Sequence, residues 1–205
     1  MDRDDVLHFE AVVLEDDAPG WPVARIQSVI DSLRKVGLEL EGIDGPQSLS
    51  RHVGGEETGL SGRAGRHGLS LSPDGGWWWH TPARTLMQGR HTNRPEAVAE
   101  LIDAVRALVD AAPPYFGRTW YATQMSPYWM RQDAPFVARD AGALTFFSKR
   151  YLAEHNGSEI LPDPPAKSVE LSGGQLIVAD CRAFGEATVA GLTDLDDWLH
   201  TVQQG

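Results

Sequence analysis

Several features are scarce in this sequence of 205 residues, and each scarcity excludes a class of protein. The single cysteine, Cys181, rules out an intrachain disulfide and with it a small disulfide-stabilised secreted fold. No run of about 18 consecutive apolar residues is present, so the sequence predicts no membrane-spanning helix. Residues 1–5 are mostly charged and do not resemble a signal peptide. We therefore expect a cytoplasmic protein that makes no contact with a membrane.

Positive charge is also scarce, because 18 lysines and arginines stand against 29 acidic residues and leave a net charge of −11. Such a surface repels the phosphates of nucleic acids and anionic membranes, and it favours the approach of a basic protein. The alternative is that the acidity only keeps the protein soluble. Our candidates for binding a protein partner are acidic residues on predicted loops and one tryptophan: Asp16, Asp17, Glu39, Glu41, Asp44, Glu56, Glu57 and Trp78.

Recognisable catalytic and metal-binding motifs are absent from the sequence. We find no glycine-rich phosphate loop ending in Lys-Ser or Lys-Thr, no HExxH, no pair of CxxC motifs and no GxSxG. The histidines of the middle third have spacings that fit no compact metal site: His52, His67, His80 and His91. The sequence thus predicts a protein that is not an enzyme and has no catalytic residue, cofactor or metal. A small enzyme that uses His80 and His91 beside an aromatic strand remains an alternative.

Periodic apolar residues indicate three helices. The first runs from about residue 21 to 36 and has Gly37 just past its end, where a glycine often stops a helix. The second runs from about residue 95 to 112. A short C-terminal helix is predicted from about residue 194 to 202, with Thr193 as its cap.

Short runs of β-branched and aromatic residues between turn residues indicate the strands. These runs cover residues 6–14, 68–72, 77–80, 118–124, 143–147, 168–171 and 175–180. Residues 38–66, rich in glycine, serine and charge, are predicted to be a long surface loop. The order of these elements predicts a single α+β domain over residues 1–205, in which two main helices pack on a mostly antiparallel sheet and a short helix ends the chain.

Three consecutive tryptophans occupy residues 77–79. In a strand, Trp77 and Trp79 face one side of the sheet and Trp78 faces the other. One of these sides must belong to the core. The other side is either covered as well or exposed, in which case Trp78 could anchor a protein interface or stack on a sugar. A ligand-binding module, for a small molecule or a carbohydrate, is therefore a further alternative.

The C-terminal part of the sequence carries a family resemblance. The run 142–148, Gly-Ala-Leu-Thr-Phe-Phe-Ser, is followed by the proline-rich segment 161–165, Leu-Pro-Asp-Pro-Pro. Val-Glu-Leu at 169–171 and Gln-Leu-Ile-Val at 175–178 then flank a Gly-Gly pair. This pattern resembles immunity proteins of bacterial polymorphic toxin systems, in particular immunity protein family 52 and its relatives.

The resemblance covers roughly residues 68–180 and implies a cytoplasmic antitoxin. Such a protein binds a cognate secreted toxin, often a nuclease or another enzyme, and covers its active site. The resemblance carries over no catalytic residues. The acidic charge of this chain is consistent with a toxin whose active-site surface is basic, and the oligomeric state is expected to be a monomer or a homodimer.

Overall fold

The computed structural model describes residues 6–14, 20–41, 60–72, 75–86, 94–121, 141–159, 161, 163, 166–179 and 189–203. The helices within these ranges are too short or too polar to cross a bilayer. The α+β architecture expected from the sequence is confirmed, since an open antiparallel sheet carries helices on both of its faces.

Nine strands of the described residues form one sheet, and all of its neighbouring strands run antiparallel. In chain order they are β1 Val6–Val12, β2 Leu40–Glu41, β3 Leu60–Ala64, β4 His67–Leu71, β5 Trp77–Pro82, β6 Phe116–Tyr121, β7 Leu144–Ser148, β8 Lys167–Leu171 and β9 Gly174–Val178. Their order across the sheet is β2-β3-β4-β5-β1-β6-β7-β9-β8. The first strand of the chain therefore lies in the middle of the sheet.

Five helices accompany the sheet in the described part of the chain. They are α1 Val23–Lys35, α2 Ala83–Leu86, α3 Pro95–Ala111, α4 Lys149–Asn156 and α5 Val189–Val202. Helix α1 ends where it does because of the glycine that follows it. Gly37 adopts φ +80°, and the amides of Gly37 and Leu38 donate to the carbonyls of Arg34 and Leu33 at 3.0 Å each. This is the pattern that a left-handed glycine closes at a helix end.

One face of the sheet is covered by α1 and α3, which also contact each other. The apolar stripe of α1 buries Ile26 and Leu33, and α3 buries Leu101 and Leu108, against sheet residues such as Trp77. Burial of side chains of this size contributes roughly 1.5–3 kcal/mol each, so this core is the main source of stability. The indole Nε1 of Trp77 also donates to the carbonyl of Ala112, 3.0 Å away, and ties β5 to the end of α3.

The opposite face is covered by a second core at one of its ends. Here α4 and α5 pack on β6, β7 and β9 through Phe116, Phe147, Tyr151, Leu195 and Leu199. Among the described residues, none from β3, β4 or β5 belongs to this second core. This face of the sheet is therefore apolar beneath α4 and α5. Its other half, formed by β3, β4 and β5, contributes no described residue to that core.

Three predictions from the sequence need correction. The proposed loop at 38–66 contains β2 and β3, and only residues 42–59 of it lie outside the described ranges. Gly62 in β3 has low β-propensity, but a Cβ there would lie 3.0 Å from Leu40 Cδ1 and 3.2 Å from the Glu41 carbonyl oxygen, so a side chain at this position would crowd β2. Helix α4 is absent from the prediction. The C-terminal helix begins at Val189 rather than near 194, so Thr193 lies inside it and does not cap it.

Candidate functional site

Strand β5 contains the three tryptophans and directs alternate side chains to the two faces of the sheet. Trp77, Trp79 and Thr81 are buried under α1 and α3, whereas Trp78 and His80 alternate with them and are half-buried on the opposite face. The sequence left open whether both faces of this strand are covered. The alternation itself is confirmed, and Trp78 keeps part of its surface accessible.

The strand register brings side chains from four neighbouring strands together around His80. His80 pairs with Gly68 of β4 on one side and with His8 of β1 on the other, and His8 pairs in turn with Trp120 of β6. Cross-strand partners point to the same face of a sheet. One step along the strands, Trp78 pairs with Ser70. We call His8, Ser70, Trp78, His80 and Trp120 the histidine–tryptophan face.

A chain of polar contacts runs across this face. Ser70 Oγ lies 2.8 Å from His80 Nε2, and His80 Nδ1 lies 2.5 Å from His8 Nδ1. The imidazole of His8 then stacks on the Trp120 ring, with centroids 4.7 Å apart and an angle of 22° between the planes. Gly68 makes room for this arrangement, since a Cβ there would lie 3.3 Å from His80 Cδ2.

The two histidines of the face are neutral near pH 7. Burial and, to a smaller degree, the neighbouring His80 lower the pKa of His8 from 6.5 to about 4. Burial also lowers the pKa of His80 below its usual value. A hydrogen bond between two Nδ1 atoms needs one protonated and one free nitrogen, so the two rings must adopt opposite Nδ1 tautomers. The pair therefore shares a single Nδ1 proton.

The row that contains Trp78 also contains two charged residues. Glu10 pairs in register with Trp78 on one side and with Arg118 on the other, and both charged side chains are buried. Opposite charges on neighbouring strands stabilise a sheet, whereas a buried charge without compensation is costly. This row places complementary charges beside the accessible ring of Trp78.

His67 has a different environment, although the sequence grouped it with His80. It lies in the core on the opposite face and stacks on Trp79 with ring centroids 5.2 Å apart. Its Nε2 lies 2.5 Å from Glu100 Oε1 of α3, and its Nδ1 lies 3.0 Å from Thr81 Oγ1. Burial lowers the pKa of His67, and Glu100 opposes that shift. His67 thus joins α3 to the sheet and has a structural role.

The structure places only some of the residues selected from the sequence. Trp78 belongs to the histidine–tryptophan face, and Glu39 and Glu41 are exposed at the edge strand β2. The other candidates lie outside the described residues: Asp16, Asp17, Asp44, Glu56, Glu57 and His91. The described ranges contain no group of three or more side chains suited to hold a metal ion.

Sequence reasoning missed His8 and Ser70, and it counted Trp120 only among the aromatic residues that could line a groove, without placing it beside His80. Alternation within each strand predicts which face such a residue occupies, and the signal was present for all three. Their proximity depends on the insertion of β1 between β5 and β6, which joins segments more than 60 residues apart in the chain, as for His8 and His80 with a separation of 72. No local pattern encodes that pairing.

Comparison with known proteins gives a likeness to a solved structure. No protein-family model matches the chain, and no curated protein matches it. A solved structure, the Pseudomonas aeruginosa T6SS protein PA0821, is similar with a TM-score of 0.55 and 13% sequence identity. The match covers 98% of this chain and 76% of that one. At this level of identity the likeness establishes a shared fold over nearly the whole chain.

Proposed function

We propose that this protein is a bacterial immunity protein, which binds a cognate secreted toxin and neutralises it by covering its active site. The observation that carries the proposal is the fold shared with a T6SS protein over 98% of the chain. The resemblance of roughly residues 68–180 to immunity proteins of polymorphic toxin systems and the net charge of −11 support it independently. Neutralisation of this kind is stoichiometric and needs no turnover.

The described residues offer two features suited to such binding. Glu39 and Glu41 are exposed at one edge of the sheet, where acidic side chains would accelerate the approach of a basic toxin surface. Trp78 offers a partly accessible aromatic ring three strands away, and tryptophan is among the residues that most often dominate interface energies. The acidic edge would govern association, and Trp78 would slow dissociation.

The test is co-expression with the product of the adjacent gene, followed by binding kinetics with the purified pair. Protection of the cell and a stoichiometric complex are the expected results. An adjacent product that is toxic and is neither bound nor neutralised by this protein would overturn the proposal.

Charge variants then locate the surface. We expect the double substitution Glu39→Lys and Glu41→Lys to slow association several-fold at low salt and to reduce its salt dependence. The matched control is Asp163→Lys with Glu170→Lys, which changes the net charge equally at exposed residues, with Glu170 on the opposite edge strand β8. Equal effects of the two double variants would show that total charge, and not the β2 edge, steers the encounter.

A further inference from the structure

The polar chain on the histidine–tryptophan face has the arrangement of an activated serine. A nucleophile is recognised by a base within hydrogen-bond reach and by a third group that orients the base. Ser70 Oγ lies 2.8 Å from His80 Nε2, and the other nitrogen of that ring is held by His8 at 2.5 Å. From this geometry we propose that Ser70 is the nucleophile of an acyl-transfer site that accepts carboxylic esters, with His80 as its general base and His8 as a positioning residue.

The shared Nδ1 proton decides whether His80 can act as a base. When His80 Nδ1 carries the proton and donates it to His8 Nδ1, the free lone pair of His80 lies on Nε2 and faces the hydroxyl of Ser70. Burial keeps the pKa of His80 below its usual value, so this ring is unprotonated at neutral pH, as a base must be. His8 contributes orientation only, because a neutral ring gives no charge stabilisation to the imidazolium that forms.

The chemical steps balance with these groups. Ser70 Oγ attacks the ester carbonyl carbon and forms a C–O bond while its proton moves to His80 Nε2. The tetrahedral intermediate collapses, the bond to the leaving oxygen breaks, and that oxygen takes the proton back from Nε2. A water molecule then attacks the acyl-serine in the same manner and returns the proton to Ser70 Oγ. No oxidant, reductant or metal is required.

The neighbours of Ser70 indicate the kind of ester. Trp78 is the cross-strand partner of Ser70 and is half-buried, so a flat aromatic or acyl group bound at Ser70 would pack against the indole. Gly68 lies beside His80 and has no side chain that would block the approach of a substrate along β4. Both features favour an aryl ester of a small acid.

The expected activity is modest. General-base assistance supplies roughly 10²–10⁴-fold in rate, and this is the contribution of the residues described. A covalent reagent is therefore a more sensitive probe than turnover. In a fluorophosphonate, Ser70 Oγ would form a P–O bond, fluoride would leave, and the serine proton would move to His80.

The experiment is fluorophosphonate labelling of the purified protein, followed by peptide mass spectrometry and by hydrolysis of p-nitrophenyl acetate. We expect one label on Ser70, no label in Ser70→Ala, and a rate reduced by roughly 10²–10⁴-fold in His80→Gln. Ser61→Ala is the matched control, because Ser61 is the exposed cross-strand partner of Ser70. This variant should label at the wild-type rate.

The positioning role of His8 is tested by two variants. His8→Phe keeps an aromatic ring against Trp120 but removes the acceptor, and we expect labelling to fall by roughly 10–100-fold because the base is misplaced. His8→Asn restores an acceptor oxygen near the position of Nδ1 and should recover most of the rate. Equal rates in both variants would assign His8 a purely structural role and remove it from the site.

Labelling that persists in Ser70→Ala, or no labelling of a wild-type protein with an intact fluorescence-monitored unfolding transition, would overturn the proposal. Neither result affects the immunity function, because binding of a toxin requires no nucleophile. Conversely, loss of toxin binding with retained Ser70 labelling would reject the proposed function alone.

Discussion

The neutral pair His8 and His80 makes a quantitative prediction about stability at acidic pH. The pKa of His8 is about 4 in the folded protein and 6.5 in an unfolded chain. Between these values the unfolded state binds more protons than the folded state, so stability falls as pH decreases. The His8 contribution is fully present above about pH 6.5 and is lost progressively as pH falls towards about pH 4.

The magnitude follows from the size of the shift. Each pKa unit corresponds to about 1.4 kcal/mol, so the full displacement of His8 corresponds to about 3 kcal/mol. His8 is only half-buried, and solvent screening reduces this value to about 1–2 kcal/mol. His80, with its lowered pKa, adds a contribution of the same sign.

The assay is urea unfolding monitored by tryptophan fluorescence at pH 7 and at pH 4.5, on the wild type and on His8→Phe. Protonation of carboxylates affects both proteins alike, so the difference between their pH-dependent losses isolates His8. We expect the wild type to lose about 1–2 kcal/mol more than the variant over this interval. His200→Gln is the control, because His200 is exposed on α5. Identical losses in the wild type and His8→Phe would refute the reasoning.

Further substitutions test the packing, and chemical denaturation measures each of them. Trp79→Ala should cost about 3–5 kcal/mol, because that side chain is completely buried, whereas Trp78→Ala on the other face of β5 should cost less than about 2 kcal/mol. Gly174→Ala should cost about 1–3 kcal/mol or more, since its Cβ would lie 2.0 Å from a backbone oxygen of β7, whereas at Gly173 the nearest atom is 3.2 Å away. Gly37→Ala should cost roughly 1–2 kcal/mol, because φ at this residue is +80°.

Local signals were sufficient for much of the fold. The helices α1 and α3 follow from their apolar stripes, and strands β4 and β5 lie close to the predicted runs 68–72 and 77–80. Helix α4 was missed because eight residues give too little periodicity to detect. Its boundaries were nevertheless encoded, since Ser148 accepts from the Tyr151 amide at 2.9 Å and Gly157 ends the helix at φ +63°.

The candidate site was harder to predict from the sequence than the fold. The sequence named His80 only in the alternative of a small enzyme and Trp78 only as a possible anchor of an interface, and it did not predict that the two share a face. The partner expected for His80 was His91, which lies outside the described residues, whereas the structure places His8 against it. The acidic candidates Glu39 and Glu41 are exposed, and their role in binding a partner stays a prediction. Contacts that depend on the order of strands cannot be inferred from spacing along the chain.

The central position of β1 has a consequence for how the protein is made. The ribosome produces Val6–Val12 before the other strands of the described sheet, and the second neighbour of this strand, β6, starts at Phe116, about 100 residues later. At synthesis rates of about 5–20 residues per second, both edges of this strand stay open until β5 is made, and the edge that pairs with β6 stays open for some 5–20 seconds. Throughout that interval the nascent chain presents a template on which a foreign strand can pair. Chaperone dependence and the yield of soluble protein should therefore respond to translation speed over residues 13–115.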